Sequence, residues 1–307
     1  MACGAVSRED ARRLSTLNLQ APAKINLFLA ITGRRTDSYH DLLSVAAPLL
    51  WGDSLEVGPR ERGFTLSCDS PGIPADDSNL VIKAANAFAA ATGWTGGAHF
   101  DLRKKIPAGS GLGGASSNAT AALKGLNTLA GEPLDGPGLA RVAATVGSDC
   151  ALFLSGTPVV MRGRGERIEP LAKEPYSRIR GMRIMVFKPG FSILTPWAYS
   201  RLVADAPRGY VTPGRAEARL ADWLDHAGSS GDNLLFNSME RPAFAKYPAL
   251  PAMIEHLQNR FGVSARMSGS GSACFALLHE DMAAAQIESA IREAWGPSAF
   301  VIETRIA

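Results

Sequence analysis

The stretch "IPAGSGLGGASSNATAAL", residues 106–123, constrains this chain more than any other. Six of the eight residues from Gly109 to Ser116 are glycine or serine. The alternating run "AHFDLRKKIP" precedes them, and Ala119, Ala122, Leu123, Leu126 and Ala130 follow at helical spacing. A tight turn without a ligand would account for the glycines alone. A strand, a run of backbone N–H groups clear of side chains, two serines and then a helix make an anion site, phosphate above all.

Two phosphate motifs can be laid on these residues, and neither fits. Gly109, Gly111 and Gly114 spell G-x-G-x-x-G. That dinucleotide fingerprint belongs directly after a first strand, with an acid about twenty residues on at a strand end. Here several strand-like segments come first, and the nearest acid, Asp135, lies in the turn-rich "GEPLDGPG". Gly109–Ser116 also has P-loop spacing, but Ala115 replaces the lysine that must reach the terminal phosphates. The loop is therefore read as a phosphate site built from backbone amides and a helix dipole.

The rest of the chain divides into two rhythms. At 307 residues and 46% hydrophobic, it has room for two modest domains. "KINLFLAIT", "DLLSVAAPLLWGDSLEV" and "FTLSCDS" read as strands, with Gly52-Asp53 as a turn. "NLVIKAANAFAAATG" reads as a helix capped by Asp77 or Ser78 and closed by Gly93, and "GLARVAATVG" as a shorter helix. "ALFLSGTPVVMRGRGERIEP" reads as a hairpin. Beyond "LAKEPYSRIRG" come the strand "MRIMVFKP", a helix from "TPWAYSRL" and two helices in "DNLLFNSMERPAFAKYPALPAMIEHLQNRFG". "VSARMSGSGSACFALL" reads as strand, turn and strand, and a helix and a last strand close the chain. This order implies an α+β fold with mixed sheets.

Composition excludes some classes of function. The net charge of +3 gives no case for a nucleic-acid partner, and acids interrupt the arginine-rich "MRGRGERIEP" as in a solvated hairpin. Cys3, Cys68, Cys150 and Cys274 have no metal or redox spacing, which fits free thiols in a reducing compartment. No apolar run is long enough to cross a bilayer, and "MACGAVSREDARRLSTLNLQ" lacks a hydrophobic signal core. No membrane association is expected, and a cytoplasmic location is.

Four other places carry chemistry. Lys24 sits inside the apolar "PAKINLFL", where its stem could pack and its head snorkel, or where it could serve as a buried ammonium. Asp149 lies between "ATVGS" and "CALFL", as a turn or cap residue or as a functional carboxylate. Tyr39 and His40 in "GRRTDSYH" suit stacking on a flat ring and reading its edge, or a purely structural role. "RMSGSGSACFAL" is a second glycine-rich turn, which a plain hairpin also explains.

Together, "PAKINLFL", "IPAGSGLGGASSNATAAL" and "RMSGSGSACFALL" resemble, in order and spacing, the three motifs of the GHMP kinases, the family of galactose, homoserine, mevalonate and phosphomevalonate kinases. The resemblance runs from about residue 20 to the C-terminus. "KINLFLAITGRRTDSYHDLLSV", "GSD" and "GRGERIEPL" most resemble the branch acting on a cytidine-diphospho sugar alcohol of the non-mevalonate isoprenoid route. The resemblance implies a two-domain α+β fold after an extension over residues 1–20. Residues 21–175 would form a ribosomal-protein-S5-like ATP-binding and catalytic domain, and 176–307 a ferredoxin-like α/β sandwich that binds substrate, with the active site in the cleft between them.

The family's roles would fall as follows. Asp149 would be base or electrostatic partner for the substrate hydroxyl, and Lys24 would orient that hydroxyl and offset its charge. Pro107, Gly109, Ser110, Gly111, Leu112, Gly113, Gly114, Ala115, Ser116 and Ser117 would wrap the ATP phosphates with Lys104 nearby, and Asn79, Leu80 and Lys83 would lie near the adenine. Mg²⁺ would ride with ATP, with Ser117 as its candidate ligand. His40 would read the cytosine edge, Tyr39 and Tyr199 would sandwich the ring, and Asn26 and Thr195 would hold the sugar alcohol or its diphosphate. Gly269, Ser270 and Gly271 would line the site, in a monomer or weak homodimer.

The chain departs from the family pattern at Ser38 and Ala115, each in place of glycine, at "CALF" in place of V-P-F-F after Asp149, and at Ser238 in place of aspartate. The alternatives are a kinase of mevalonate- or homoserine-like alcohols, which has no use for the Tyr-His pair, and an inactive nucleotide-binding homologue, which has no need of both Lys24 and Asp149.

Overall fold

The computed structural model describes residues 16–307; Cys3 and residues 1–15 of the expected extension lie outside the described residues. In chain order the strands are β1 (Leu17–Arg34), β2 (His40–Arg60), β3 (Phe64–Cys68), β4 (Gly97–Arg103), β5 (Val159–Gly163), β6 (Arg167–Pro170), β7 (Arg183–Lys188), β8 (Phe236–Asn237), β9 (Ala265–Met267), β10 (Cys274–Leu278) and β11 (Phe300–Arg305). The chain forms two compact units that interleave in sequence. The first takes residues up to Pro22, Gly52–Lys105 and Gly114–Leu154, and the second takes Ala23–Trp51, Ile106–Gly113 and Ser155–Ala307. The glycine loop therefore passes from the second unit to the first at the peptide between Gly113 and Gly114.

In the first unit β3 runs parallel to β4, and β4 pairs antiparallel with the second half of β2, Leu55 opposite Leu102 and Val57 opposite Phe100. Helices Leu80–Thr92, Gly114–Leu129 and Gly136–Val146 pack on one another. Their buried faces are rich in alanine, with Ala84, Ala85, Ala119 and Ala122 beside Val81, Phe88, Leu123 and Leu126. Small side chains let the helix axes approach closely. The first helix is capped by Asn79, whose side chain accepts from the Val81 N–H at 2.9 Å, and it ends at Gly93 in the left-handed conformation. The expected caps are thus displaced by one or two residues: Ser78 instead donates its hydroxyl to Asp76 at 2.6 Å.

The second unit is built on the antiparallel sheet β11-β7-β10-β9. Alternate residues of β7 and β10 enter two different cores. Ile184, Val186, Phe275 and Leu277 pack with Ile25, Leu27, Leu43 and Val45 of β1 and β2 and with Leu220 and Trp223 of helix Pro213–Asp225. Met185, Phe187, Cys274 and Ala276 pack with Leu250, Leu257, Ile287 and Ile291 of helices Ala249–Phe261 and Ala284–Trp295. A sheet covered on both faces reads as an unbroken apolar run, as "RIMVF" and "CFALL" do. β2 also pairs antiparallel with β5, β5 with β6, and β1 parallel with β8. The hairpin expectation holds for β5–β6, whereas Leu152–Ser155 is a helical turn.

One expected turn does not exist. β2 continues unbroken through Gly52 and Asp53. Glycine is needed there because a Cβ would be driven into the carbonyl of Ala21 and the Cα of Pro22. Asp53 is 0% exposed, and it accepts from the Lys104 ammonium and, at 2.7 Å, from the Lys105 N–H. Gly52→Ala should therefore destabilise the fold by about 2–3 kcal/mol through overpacking. Denaturant unfolding measures this, and a loss below about 0.5 kcal/mol, the scale of a neutral surface change, would contradict it.

Candidate active site

The glycine loop adopts the conformation its composition invites. Gly109, Gly111 and Gly113 have φ of 60°, 79° and 75°, and the residues between them, Ser110 and Leu112, are buried. The loop's carbonyls are bound to the second unit: Ser110 O accepts from Ala273 N at 3.0 Å, Leu112 O from Lys24 N at 2.9 Å, and Gly111 O from the Ser268 hydroxyl at 3.2 Å. Among the described residues no protein acceptor takes the N–H groups of Gly109, Gly111 or Gly113. Left-handed residues in alternation turn such amides to one side, as anion-binding nests do. Gly111 has a second reason to be glycine, since a Cβ there would collide with Ser268 O and meet Gly271 N at 3.1 Å.

Lys24 is 4% exposed, and its ammonium donates to Asn26 Oδ1 at 2.6 Å. The Asn26 amide donates to the Ser44 hydroxyl at 2.9 Å, which donates in turn to Phe28 O at 2.6 Å. Burying an ammonium is tolerable only with such partners, and the relay also fixes where it points. The second glycine turn backs this relay. Gly269 is left-handed at φ 58°, and a Cβ on it would lie 3.4 Å from Lys24 Nζ and 3.5 Å from Asn26 Oδ1.

That turn is held from beneath. Asn237 Nδ2 donates to Met267 O at 2.7 Å and Gly269 O at 2.9 Å, and its Oδ1 accepts from Met239 N at 2.8 Å. Ser270 Oγ lies 2.8 Å from Thr195 Oγ1, and Ser272 donates to Phe191 O at 2.6 Å. Lys24, Asn26, Thr195, Gly269, Ser270 and loop residues 109–113 thus form one neighbourhood. Ser238, the departure from aspartate, accepts from Ile31 N at 2.9 Å and so secures the β1–β8 pairing. Asn237, Ser44 and Glu240 went unread in the sequence; the polar residues inside "LLFNSME", and the lone serine inside "DLLSVAA", were the available signals.

The aromatic group lies in the second unit as well. Ser38 has φ 68°, the left-handed region where the family's glycine is free and a serine is strained. Asp37 holds the turn by accepting from Tyr39 N at 3.1 Å and from Arg35. Tyr39 is 54% exposed and carries the Arg164 guanidinium 4.9 Å from its ring centre. His40 packs on Tyr199 with ring centres 4.7 Å apart. Burial, reinforced by the charge of Arg34, holds the His40 imidazole below its ordinary range.

In the first unit, helix Gly114–Leu129 organises the remaining candidates. Thr120 donates to Cys150 O at 2.7 Å, which fixes the turn carrying half-buried Asp149. A Cβ on Gly147 would meet Cys150 Sγ at 3.2 Å and Ser116 Oγ at 3.7 Å, so Ser116 borders the same turn. Burial pushes the Cys150 thiol up to about 11, leaving an inert thiol that packs the turn with Leu152 and Phe153. Ser117 Oγ is buried at 1% exposure and, among the described residues, has no hydrogen-bond partner. An orphaned hydroxyl in the first turn after a glycine loop fits a phosphate or its metal. No group of three His, Cys, Asp or Glu among the described residues could hold a metal without such help. The Lys104 ammonium is engaged by Asp53, and the Asn79 side chain by its helix cap and by Pro74 O at 2.7 Å. Leu80 is half-buried at the start of that helix, Lys83 is exposed on it, and Pro107 and Ala115 flank the loop.

Glu240 connects the second glycine turn to pH. Its carboxylate accepts from Met267 N at 2.9 Å, and burial pushes the group up to about 7, against that hydrogen bond and the charge of Arg266. The folded chain thus keeps this proton until about pH 7, whereas the unfolded chain releases it near 4.5. The stability tied to the neutral acid is present below pH 4.5 and is lost as pH rises to 7, roughly 3 kcal/mol for a shift of this size. Glu240→Gln keeps an acceptor oxygen and does not titrate. Denaturant unfolding at pH 5 and pH 8 should show a flatter profile for the variant than for the wild type, and parallel profiles would contradict the assignment.

Comparison with known proteins identifies the family. The GHMP kinases N terminal domain matches residues 79–157, and the GHMP kinases C terminal domain matches residues 216–297. The chain is 37% identical over 267 residues to a 4-diphosphocytidyl-2-C-methyl-D-erythritol kinase of Methylacidiphilum infernorum, covering 86% of this chain and 87% of that protein. It is 34% identical to the protein of that name from Synechococcus elongatus, covering 92% of each. A crystal structure of 4-(cytidine 5'-diphospho)-2C-methyl-D-erythritol kinase superposes with a TM-score of 0.74 at 33% identity, covering 95% of this chain and all of that one. With both domains matched, and near-full-length relatives of one kind, the chain belongs to the GHMP kinases, in the 4-diphosphocytidyl-2-C-methyl-D-erythritol kinase branch.

Proposed function

We propose that this chain transfers the γ-phosphoryl group of ATP to the 2-hydroxyl of 4-diphosphocytidyl-2-C-methyl-D-erythritol, a step in isoprenoid precursor synthesis. The observation that carries the reading is the Lys24 neighbourhood: a buried ammonium fixed by Asn26, backed by Gly269 and tied through its own backbone to Leu112 of the glycine loop. A single peptide thus sets the spacing between a cation and the phosphate-binding backbone.

The roles follow from chemistry. Amides of Gly109 to Gly113 and the N-terminus of helix Gly114–Leu129, with Ser116 and Ser117, receive the phosphates. Asn79, Leu80 and Lys83 border the adenine, and Lys104, held by Asp53, anchors the approach to the loop. His40, Tyr39 and Tyr199 take the cytosine, and Asn26, Thr195 and the 269–271 turn take the sugar alcohol and its diphosphate. The hydroxyl oxygen bonds to the γ-phosphorus as the bond to the ADP oxygen breaks. Its proton passes to the Asp149 carboxylate or is offset there, while Lys24 balances the charge on the attacking oxygen. Mg²⁺ bound with ATP would neutralise phosphate charge, and the orphaned Ser117 hydroxyl is the group that would hold it. Free cysteines support a cytoplasmic setting.

Asp149→Asn should keep ATP affinity and lose turnover by about three orders of magnitude, the scale of one essential catalytic group. ATP titration and steady-state ADP release measure the two. Turnover within tenfold of wild type would overturn the role of Asp149.

A further inference from the structure

Asn237 is a buried amide that no step of the reaction uses. Its backbone belongs to the strand pair that carries Lys24, since β8 runs parallel to β1 with Asn237 opposite Leu29. The next residue locks that pairing twice: Ser238 N donates to Leu29 O at 2.9 Å, and Ser238 Oγ accepts from Ile31 N at 2.9 Å. The Asn237 side chain, 4% exposed, is spent on the second glycine turn. Nδ2 donates to Met267 O at 2.7 Å and to Gly269 O at 2.9 Å. Oδ1 accepts from Met239 N at 2.8 Å, so the amide presents its two N–H groups to the turn. One residue therefore joins the strand that bears Lys24 and Asn26 to the turn at Gly269.

That turn matters because of what lies against it. A Cβ on Gly269 would stand 3.4 Å from Lys24 Nζ and 3.5 Å from Asn26 Oδ1, so its backbone leaves the ammonium little slack. The bond from Lys24 to Asn26 ties the ammonium to its own strand, and the Gly269 backbone walls it in. Glu240 takes the Met267 N–H at 2.9 Å, short of the turn, and the side-chain bond to Gly269 itself comes from Asn237. We propose that Asn237 is a positioning residue for the phosphoryl transfer: by pinning Gly269 O to β8 it fixes the turn that walls in Lys24, and so fixes where the ammonium meets the attacking oxygen. This rests on the reading that Lys24 balances the charge on that oxygen. A charge favours the transition state only if it is in place before the reaction, so losing Asn237 acts on turnover more than on binding.

The test is a double-mutant cycle on the full-length enzyme with Asn237→Ala, Lys24→Met and the two combined. Radiolabelled ATP keeps the slow variants measurable, and thermal unfolding gives the folded fraction to which turnover is normalised. Asn237→Ala should lower kcat about 100-fold, the scale of a small misplacement at a reacting centre, with the KM for ATP unmoved. In the Lys24→Met background the same substitution should lower kcat by no more than about twofold, the scatter of such cycles. A purely structural asparagine would cost the same factor in both backgrounds, and that result overturns the proposal. So does a loss that appears in the KM for ATP with kcat unchanged. If Asn237→Ala does not fold, Asn237→Ser takes its place, with one hydroxyl that can hold one carbonyl. Its kcat should fall about tenfold, the worth of one net hydrogen bond, and again not in the Lys24→Met background. If Lys24→Met loses turnover while Asn237→Ala keeps it, the reading of Lys24 stands and the role of Asn237 falls. If Lys24→Met turns over as the wild type does, that reading fails and the proposal fails with it.

Discussion

The arrangement depends on a seam of backbone between two glycine-rich turns. Residues 110–112 lie against residues 268–273 so closely that Gly111 has no room for a Cβ, and three hydrogen bonds from Ala273, Lys24 and Ser268 take the loop's carbonyls. Because the carbonyls are spent on the protein, the left-handed glycines can present N–H groups on the other side. Packing rather than an added charge therefore sets the conformation of this loop. The same seam locates Lys24, whose own amide is one of the three donors.

What surrounds the seam is polar and buried, which is expensive unless every group is matched. Asn26, Ser44, Asn237, Ser268, Ser270 and Ser272 are all buried and all hydrogen-bonded. Lys188 repeats the pattern, its ammonium donating to Pro189 O at 3.0 Å and Phe191 O at 2.7 Å, which shapes the chain leading to Thr195. Such a network holds geometry through hydrogen bonds between side chains and backbone. Among the described residues Ser117 Oγ, Asn118 Oδ1 and Arg178 Nε are the buried side-chain atoms left without a partner.

Much of this was legible in residue order, for identifiable reasons. The strands buried on both faces announced themselves as apolar runs, and the glycine loop as a break between a strand and a helix. Gly52 misled because glycine beside aspartate usually marks a turn, whereas here it admits the chain at Ala21 and the aspartate is buried against Lys104. Asn79 rather than Asp77 or Ser78 caps its helix because Asp76 claims Ser78 first. Helix Pro213–Asp225, with Ala216, Leu220 and Trp223 on its buried face, carried a readable period and a proline at its start, yet arginines and acids masked it. Asn237 could not be linked to Met267 and Gly269 from order alone, because 30 and 32 residues separate them.

The most direct measurement of the central claim is ADP release with ATP and Mg²⁺ against four alcohols: 4-diphosphocytidyl-2-C-methyl-D-erythritol, mevalonate, homoserine and galactose. The loop and the Lys24 relay would serve any of them, whereas the proposed role of His40 and Tyr199 requires the cytosine that the first alone carries. Turnover confined to the cytidine substrate is the predicted result. Turnover on another of the alcohols, or on none while ATP still binds, would contradict it.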